Sequence, residues 1–215
     1  MRDLFQQQLQ ELNQELTEMA ADCREIIRLA AMSLSEWDEE LAAKAAHVGQ
    51  RIDRRERTVE TIAMKLLLRQ QPVARDLRQI SSALKIITDL ERIGDQAEDI
   101  VEIAPHLTRR PHQRFPRIRE MASAAMSMVA GAAEAYVQQD VALAQAVLDH
   151  DDIVDDYFAR VRAGIIDIIA KNPEDGDFAL DLLMVAKYFE RIGDHCTNVA
   201  EWVIYSVTGA YKTLD

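Results

Sequence analysis

The pentapeptide Glu-Arg-Ile-Gly-Asp occurs twice in this chain, at 91–95 and at 190–194, and the likeness extends well beyond it. Met19 and Ala20 return as Met121 and Ala122, Asp38 as Asp140, Leu41 as Leu143 and Asp53 as Asp155, each 102 positions on. Leu84 returns as Leu183, Glu91 as Glu190, Asp95 as Asp194, Ala97 as Cys196 and Glu102 as Glu201, each 99 positions on. Two copies of one plan are therefore present, the second shorter between the Asp155 and Glu190 positions. Self-similarity of this kind restricts the fold to a repeated supersecondary unit.

Punctuation within each copy marks three helices. Ser35 or Asp38 can cap a helix start, and Pro72 in "RQQPVARD" suits a first helical turn. The first copy reads as helices near 4–35, 38–69 and 72–104. Breaks near Asp140 and at "KNPEDGD" divide the second into helices near 117–138, 141–171 and 176–208. Between the copies, "PHLTRRPHQRFP" holds three prolines and a concentration of basic residues, and reads as a joint. The expected organisation is a three-helix repeat over 1–104, a Pro-rich basic joint over 105–116 and a second three-helix repeat over 117–215. Helices of about thirty residues run ~45 Å, and short connections make neighbours antiparallel. The expected fold is all-α: six long helices in two tandem antiparallel three-helix bundles.

Helical periodicity separates a core stripe from an acidic one. On the third helix Ile86, Leu90, Ile93, Ala97, Ile100, Val101 and Ala104 share one side, and Glu91, Asp95, Glu98, Asp99 and Glu102 lie almost opposite. On the sixth, Val185, Phe189, Ile192, Cys196, Val199, Ala200 and Val203 face the core, while Glu190, Asp194, Asn198 and Glu201 face out. The middle helices add Asp53 with Glu56 and Glu60, and Asp151 with Asp155. Carboxylates four residues apart stack one turn above another and repel. Such clusters are either solvated acidic faces or hard-oxygen sites for Mg, Ca, Mn or Fe, with no histidine or cysteine among them. Gly94 and Gly193 sit at the border between stripes, where a missing Cβ admits a neighbouring group or merely closer helix packing. Arg92 and Arg191 flank the acids, as rotamer-fixing partners or as surface ion pairs.

A formal charge of −12 opposes nucleic acid and anionic lipid unless a local basic patch intervenes. Two cysteines make no disulfide framework, so a reducing cytosol is expected. No segment has the ~20 apolar residues of a membrane span. Glycine-rich phosphate loops, nucleophile elbows and HExxH are absent.

The doubled ERIGD, "QQPVARDLR", "DDIVDD" and the tandem plan together resemble the PhoU family over almost the whole chain. The resemblance implies a cytoplasmic, usually homodimeric adaptor, not an enzyme. It would restrain phosphate uptake and starvation signalling by engaging the ATPase subunit of the phosphate-specific ABC transporter and a membrane sensor histidine kinase. It also implies metal clusters, with Fe, Zn, Mg or Mn, on Glu91, Asp95, Glu190, Asp194 and the Asp151/Asp155 pair, with Asp53 and Asp99 as first-repeat candidates. Gly49 stands where the second repeat has Asp151, and Asn198 where the first has Asp99, so the faces need not be equivalent. The first is left to draw on Glu56, Asp99 or water. The competing expectations are a carboxylate-metal helical-bundle enzyme, a di-metal oxidase or phosphohydrolase, and a metal-free structural adaptor. The enzyme reading lacks the inward Glu-x-x-His of di-metal bundles.

Overall fold

A computed structural model describes residues 2–70, 72–108 and 116–210. They form six helices: α1 (Arg2–Ser33), α2 (Glu39–Gln70), α3 (Ala74–Thr108), α4 (Pro116–Gln138), α5 (Val141–Lys171) and α6 (Gly176–Thr208). One short 3-10 turn, Pro173–Asp175, leads into α6. Asp38 accepts the Leu41 N–H at 2.7 Å, and its repeat counterpart Asp140 accepts those of Ala142 and Leu143, so both middle helices start on a carboxylate cap. The third helix starts two residues later than Pro72, at Ala74, which takes a positive φ of 48°.

That helix also runs past Pro105 to Thr108 rather than ending at 104. A proline in the last turn forfeits one backbone hydrogen bond. Burial of Leu107 and donation by the Thr108 hydroxyl to Ala104 O at 3.1 Å hold the turn beyond it. Most of the expected joint, 109–115, lies outside the described residues.

The architecture is two tandem antiparallel three-helix bundles. Within the first, α1, α2 and α3 pack on one another; within the second, α4, α5 and α6 do the same. The bundles also share a core. The largest helix interface joins α3 to α6, and α1 meets α4, whereas α2 and α5 pack only within their own bundle. Four helices thus form a central ring, and α2 and α5 lie in the grooves outside it. The apolar stripes expected on α3 and α6 are buried throughout and, Ala104 apart, belong to one continuous apolar core.

The α3–α6 register places the repeated pentapeptides. Asp89 of α3 accepts a hydrogen bond from Asn198 Nδ2 at 3.1 Å, and Asp99 faces the Tyr188 hydroxyl. His106 lies 3.4 Å from Asp181 further along, so the helices run antiparallel. The midpoint between the Asp89–Asn198 and Asp99–Tyr188 pairs falls at Gly94 and Gly193. A pseudo-twofold at that point exchanges Asp89 with Tyr188 and Asn198 with Asp99, so both ERIGD segments sit where the repeats cross.

Candidate functional site

Two acidic faces result, one on the α2–α3 seam and one on the α5–α6 seam. The second brings together the four expected residues Asp151, Asp155, Glu190 and Asp194. Burial, followed by the negative charges of Asp155, Asp194, Glu190 and Asp152, pushes the Asp151 carboxyl up to about 6. Asp151 lies directly on the sixth helix: a Cβ at Gly193 would stand 2.9 Å from its Oδ1. The border glycine of this repeat therefore makes room for a carboxylate. Lys187 pairs with Glu190 and lies 5.6 Å from the Phe158 ring centre. Arg191, expected to flank these acids, instead turns towards Asp99 of the other repeat.

The first face gathers Asp53 and Glu56 of α2 with Glu91, Asp95 and Glu98 of α3. Burial leads the upward shift of Glu91, reinforced by Asp95, Glu56 and Asp53, while Arg92 opposes it. Arg92 donates to Asp95 Oδ2 at 3.1 Å and reaches Glu91 Oε2 at 3.5 Å, tying the two acids of the motif together. Glu56 is raised by burial and then by Glu60 and Asp53. Gly94 here accommodates the Ile52 side chain, whose Cδ1 would lie 3.0 Å from an added Cβ, so the glycine serves close helix packing and not a carboxylate.

Glu98, not Asp99, stands over Gly49. A Cβ at position 49 would fall 1.9 Å from Glu98 Oε1, so the seat left by the absent aspartate is filled from the opposite helix. Burial raises the Glu98 carboxyl, helped by Asp95 and Asp53. Asp99 is also raised by burial, and next by Glu102 and Asp95, but its opposing partners are Arg191 and Tyr188 of α6. It lies on the inter-repeat border of the face. The sequence held the signal: the counterpart of Glu98 is Thr197, and that of Gly49 is Asp151. A carboxylate has moved from the middle helix to the third in one repeat relative to the other. Thr197 spends its hydroxyl on Asp194 O at 2.7 Å.

Two predictions arise here. Gly49→Ala removes a mid-helix glycine, worth up to ~1 kcal/mol, and the long Glu98 side chain can swing out to admit the methyl. Its melting temperature should be unchanged or higher, and a substantial drop would show that Glu98 is pinned. For Asp151, the folded value of about 6 exceeds the ordinary 3.8. Between those pH values the folded state holds a proton that the unfolded chain has released. Stability therefore falls as pH rises from about 4 to about 6 and stays reduced above it. The shift is nominally about 3 kcal/mol, and solvent screening of this half-exposed group brings it to about 1 kcal/mol. Metal-free Asp151→Asn should melt roughly 2–4 °C higher than the parent at neutral pH, with the gap closing towards pH 4. A variant melting lower at neutral pH contradicts this.

The donor set is all carboxylate, and each face has a glycine seat that a carboxylate fills, which fits hard, oxygen-bound cations. Among the described residues, no three His, Cys, Asp or Glu side chains stand at the spacing of a ligand shell.

These features define a class: a doubled three-helix protein with an acidic face on each outer seam and no helix long and apolar enough to cross a membrane among the described residues. A profile described as "PhoU domain" matches residues 16–104 and again 118–203. A chain of Clostridium acetobutylicum named "Phosphate-specific transport system accessory protein PhoU homolog" is 34% identical, the match covering 100% of this chain and 99% of that one. A Synechocystis protein of the same name is 34% identical over 97% of this chain and 93% of its own. The crystal structure of PhoU from Pseudomonas aeruginosa superposes with a TM-score of 0.89 at 30% identity, covering 96% of this chain and 100% of that one. This chain belongs to the PhoU family.

Proposed function

We propose that the protein is a regulatory adaptor of phosphate transport, one that restrains uptake by the phosphate-specific ABC transporter and keeps phosphate-starvation signalling off when phosphate is plentiful. The observation that carries this reading is the likeness, over both repeats, to chains named as accessory proteins of that transport system. Its partners in this reading are the transporter's ATPase subunit and a membrane sensor histidine kinase, and it works as a cytoplasmic homodimer without catalysis of its own.

The acidic faces are cation sites in the same reading. Asp151, Asp155, Glu190 and Asp194 hold the second, and Asp53, Glu91, Asp95 and Glu98 the first, with Glu56 and Asp99 at its margins. A bound Mg, Mn or Fe ion neutralises clustered charge and bridges adjacent helices; an oxygen-only set suits zinc less well. Glu98 and Asp151 come from opposite sides of their seams, so the faces differ in geometry while keeping their charge.

The test of the adaptor role is a deletion strain grown in high phosphate with a starvation-promoter reporter. Loss of the gene should switch the reporter on, and the intact gene should restore silence. A reporter that stays silent in the deletion strain contradicts the proposal.

A further inference from the structure

The hairpin joining α2 to α3 ends in Leu68 and Val73, 75% and 73% exposed, the two most exposed large apolar side chains among the described residues. Met64 and Leu77, one turn back on either helix, are exposed as well. Exposed Lys65, Arg69 and Arg75 lie beside them, with part-buried Asp76 as the nearby acid. This is a local basic patch, built by the turn, in a chain whose formal charge is −12.

The pseudo-equivalent hairpin between α5 and α6 provides a comparison within the same molecule. It too exposes aliphatic residues, Ile166, Ile169, Leu180 and Met184. Its charges differ: the repeat offsets put Asp167 where the first hairpin has Lys65, Glu174 where it has Arg75, and Asp177 where it has Arg78, while Arg69 keeps a cation in Lys171. Apolar exposure is kept at other positions, since Ala170 and Asn172 stand where the first hairpin has Leu68 and Val73, and three of the four basic positions become acidic. One hairpin is fitted to an anionic surface and the other is not.

Charge narrows the occupant. Leu68 and Val73 are exposed aliphatic side chains set among Lys65, Arg69 and Arg75. They suit a deformable apolar bed rimmed by anions, where Lys and Arg stems lie along the apolar boundary and their heads meet phosphate. The acidic faces do not prevent this. Glu60, the acid of that face nearest the tip along α2, lies eight residues from Leu68, roughly 12 Å at 1.5 Å per residue, beyond a Debye length of about 8 Å at physiological salt.

We propose that the α2–α3 tip docks on an anionic lipid surface, with Leu68 and Val73 entering the headgroup boundary and Lys65, Arg69 and Arg75 meeting lipid phosphates. The helices then stand off the surface and hold the acidic faces away from it. This is independent of cation binding at those faces.

The test is co-sedimentation of the full chain with vesicles of phosphatidylglycerol and phosphatidylcholine, against vesicles of phosphatidylcholine alone. The protein should sediment with the anionic vesicles, and less so as salt rises. Leu68→Asp with Val73→Asp, and separately Lys65→Glu with Arg69→Glu, should each weaken binding about tenfold or more. Ile166→Asp with Leu180→Asp, on the other tip, should leave it unchanged. Unaltered melting curves establish that the variants are folded. A parent protein that stays in the supernatant overturns the proposal and leaves an acidic protein surface as the occupant of that tip, and vesicle binding that survives both α2–α3 pairs overturns it by placing the lipid contact elsewhere.

Discussion

Metal-free protein is expected to melt about 5–10 °C higher once Mn2+ is supplied at about a hundred times its dissociation constant, the shift that ~2.7 kcal/mol of linkage gives for a chain of this size. The reason is local. At neutral pH the second face holds Asp151, Asp155, Glu190 and Asp194 close enough for the last three to push up the first. A cation that binds the folded state removes that repulsion, and the unfolded chain offers no comparable site. Glu190→Ala with Asp194→Ala should therefore change the melting temperature in two opposite ways. Without Mn2+ the variant should melt at or above the parent, because two like charges have gone. With Mn2+ it should gain clearly less. An ordinary solvated acidic face gives at most the first signature, since weak screening by a divalent ion would act on parent and variant alike.

Asp22→Ala should destabilise the first repeat by about 2–3 kcal/mol, between the values for exposed and fully buried ion pairs, and lower the melting temperature by roughly 4–10 °C. Asp22 is 8% exposed on α1 and accepts from Arg51 at 2.7 and 3.0 Å and from Arg55 at 2.9 Å. Arg55 also reaches Glu15 at 2.8 Å and Glu18 at 2.6 Å. Truncating Asp22 leaves two guanidinium groups without their most buried acceptor. The second repeat has the apolar alternative at the corresponding places, Ala124, Ile153 and Tyr157. It builds the same helix pair without that ion cluster, as expected if such clusters are replaceable whole but costly to break in part. An Asp22→Ala protein as stable as the parent would show that the cluster is solvated and contributes little.

Most of the fold was legible because helical periodicity is a local signal. The buried stripes of α3 and α6 follow from spacing alone, and α5 and α6 keep the bounds read from their capping and breaking residues. Pro105 misled by one turn, since a proline near a helix end loses little when a buried neighbour such as Leu107 anchors the turn. The candidate sites were legible by face and not by neighbour. A wheel gives the direction of a side chain relative to the core, but not which adjoining helix it meets. Glu98 and Asp99 share the acidic stripe, yet one leans over Gly49 of α2 and the other towards Tyr188 and Arg191 of α6. That distinction depends on the antiparallel α3–α6 register, a long-range feature no local pattern encodes. Gly49 alone looked like a missing ligand. Read together with the Glu98/Thr197 difference, it is a carboxylate exchanged between helices.

The claim that both seams are cation sites is tested most directly by equilibrium dialysis of metal-free protein against Mn2+. The parent would be compared with Asp95→Asn, Glu98→Gln on the first face, with Glu190→Gln, Asp194→Asn on the second, and with all four changes combined. The parent should bind Mn2+ at both faces, each pair of substitutions should remove its own share and spare the other, and the combined variant should bind almost none. A parent that binds no more Mn2+ than the combined variant would contradict the account.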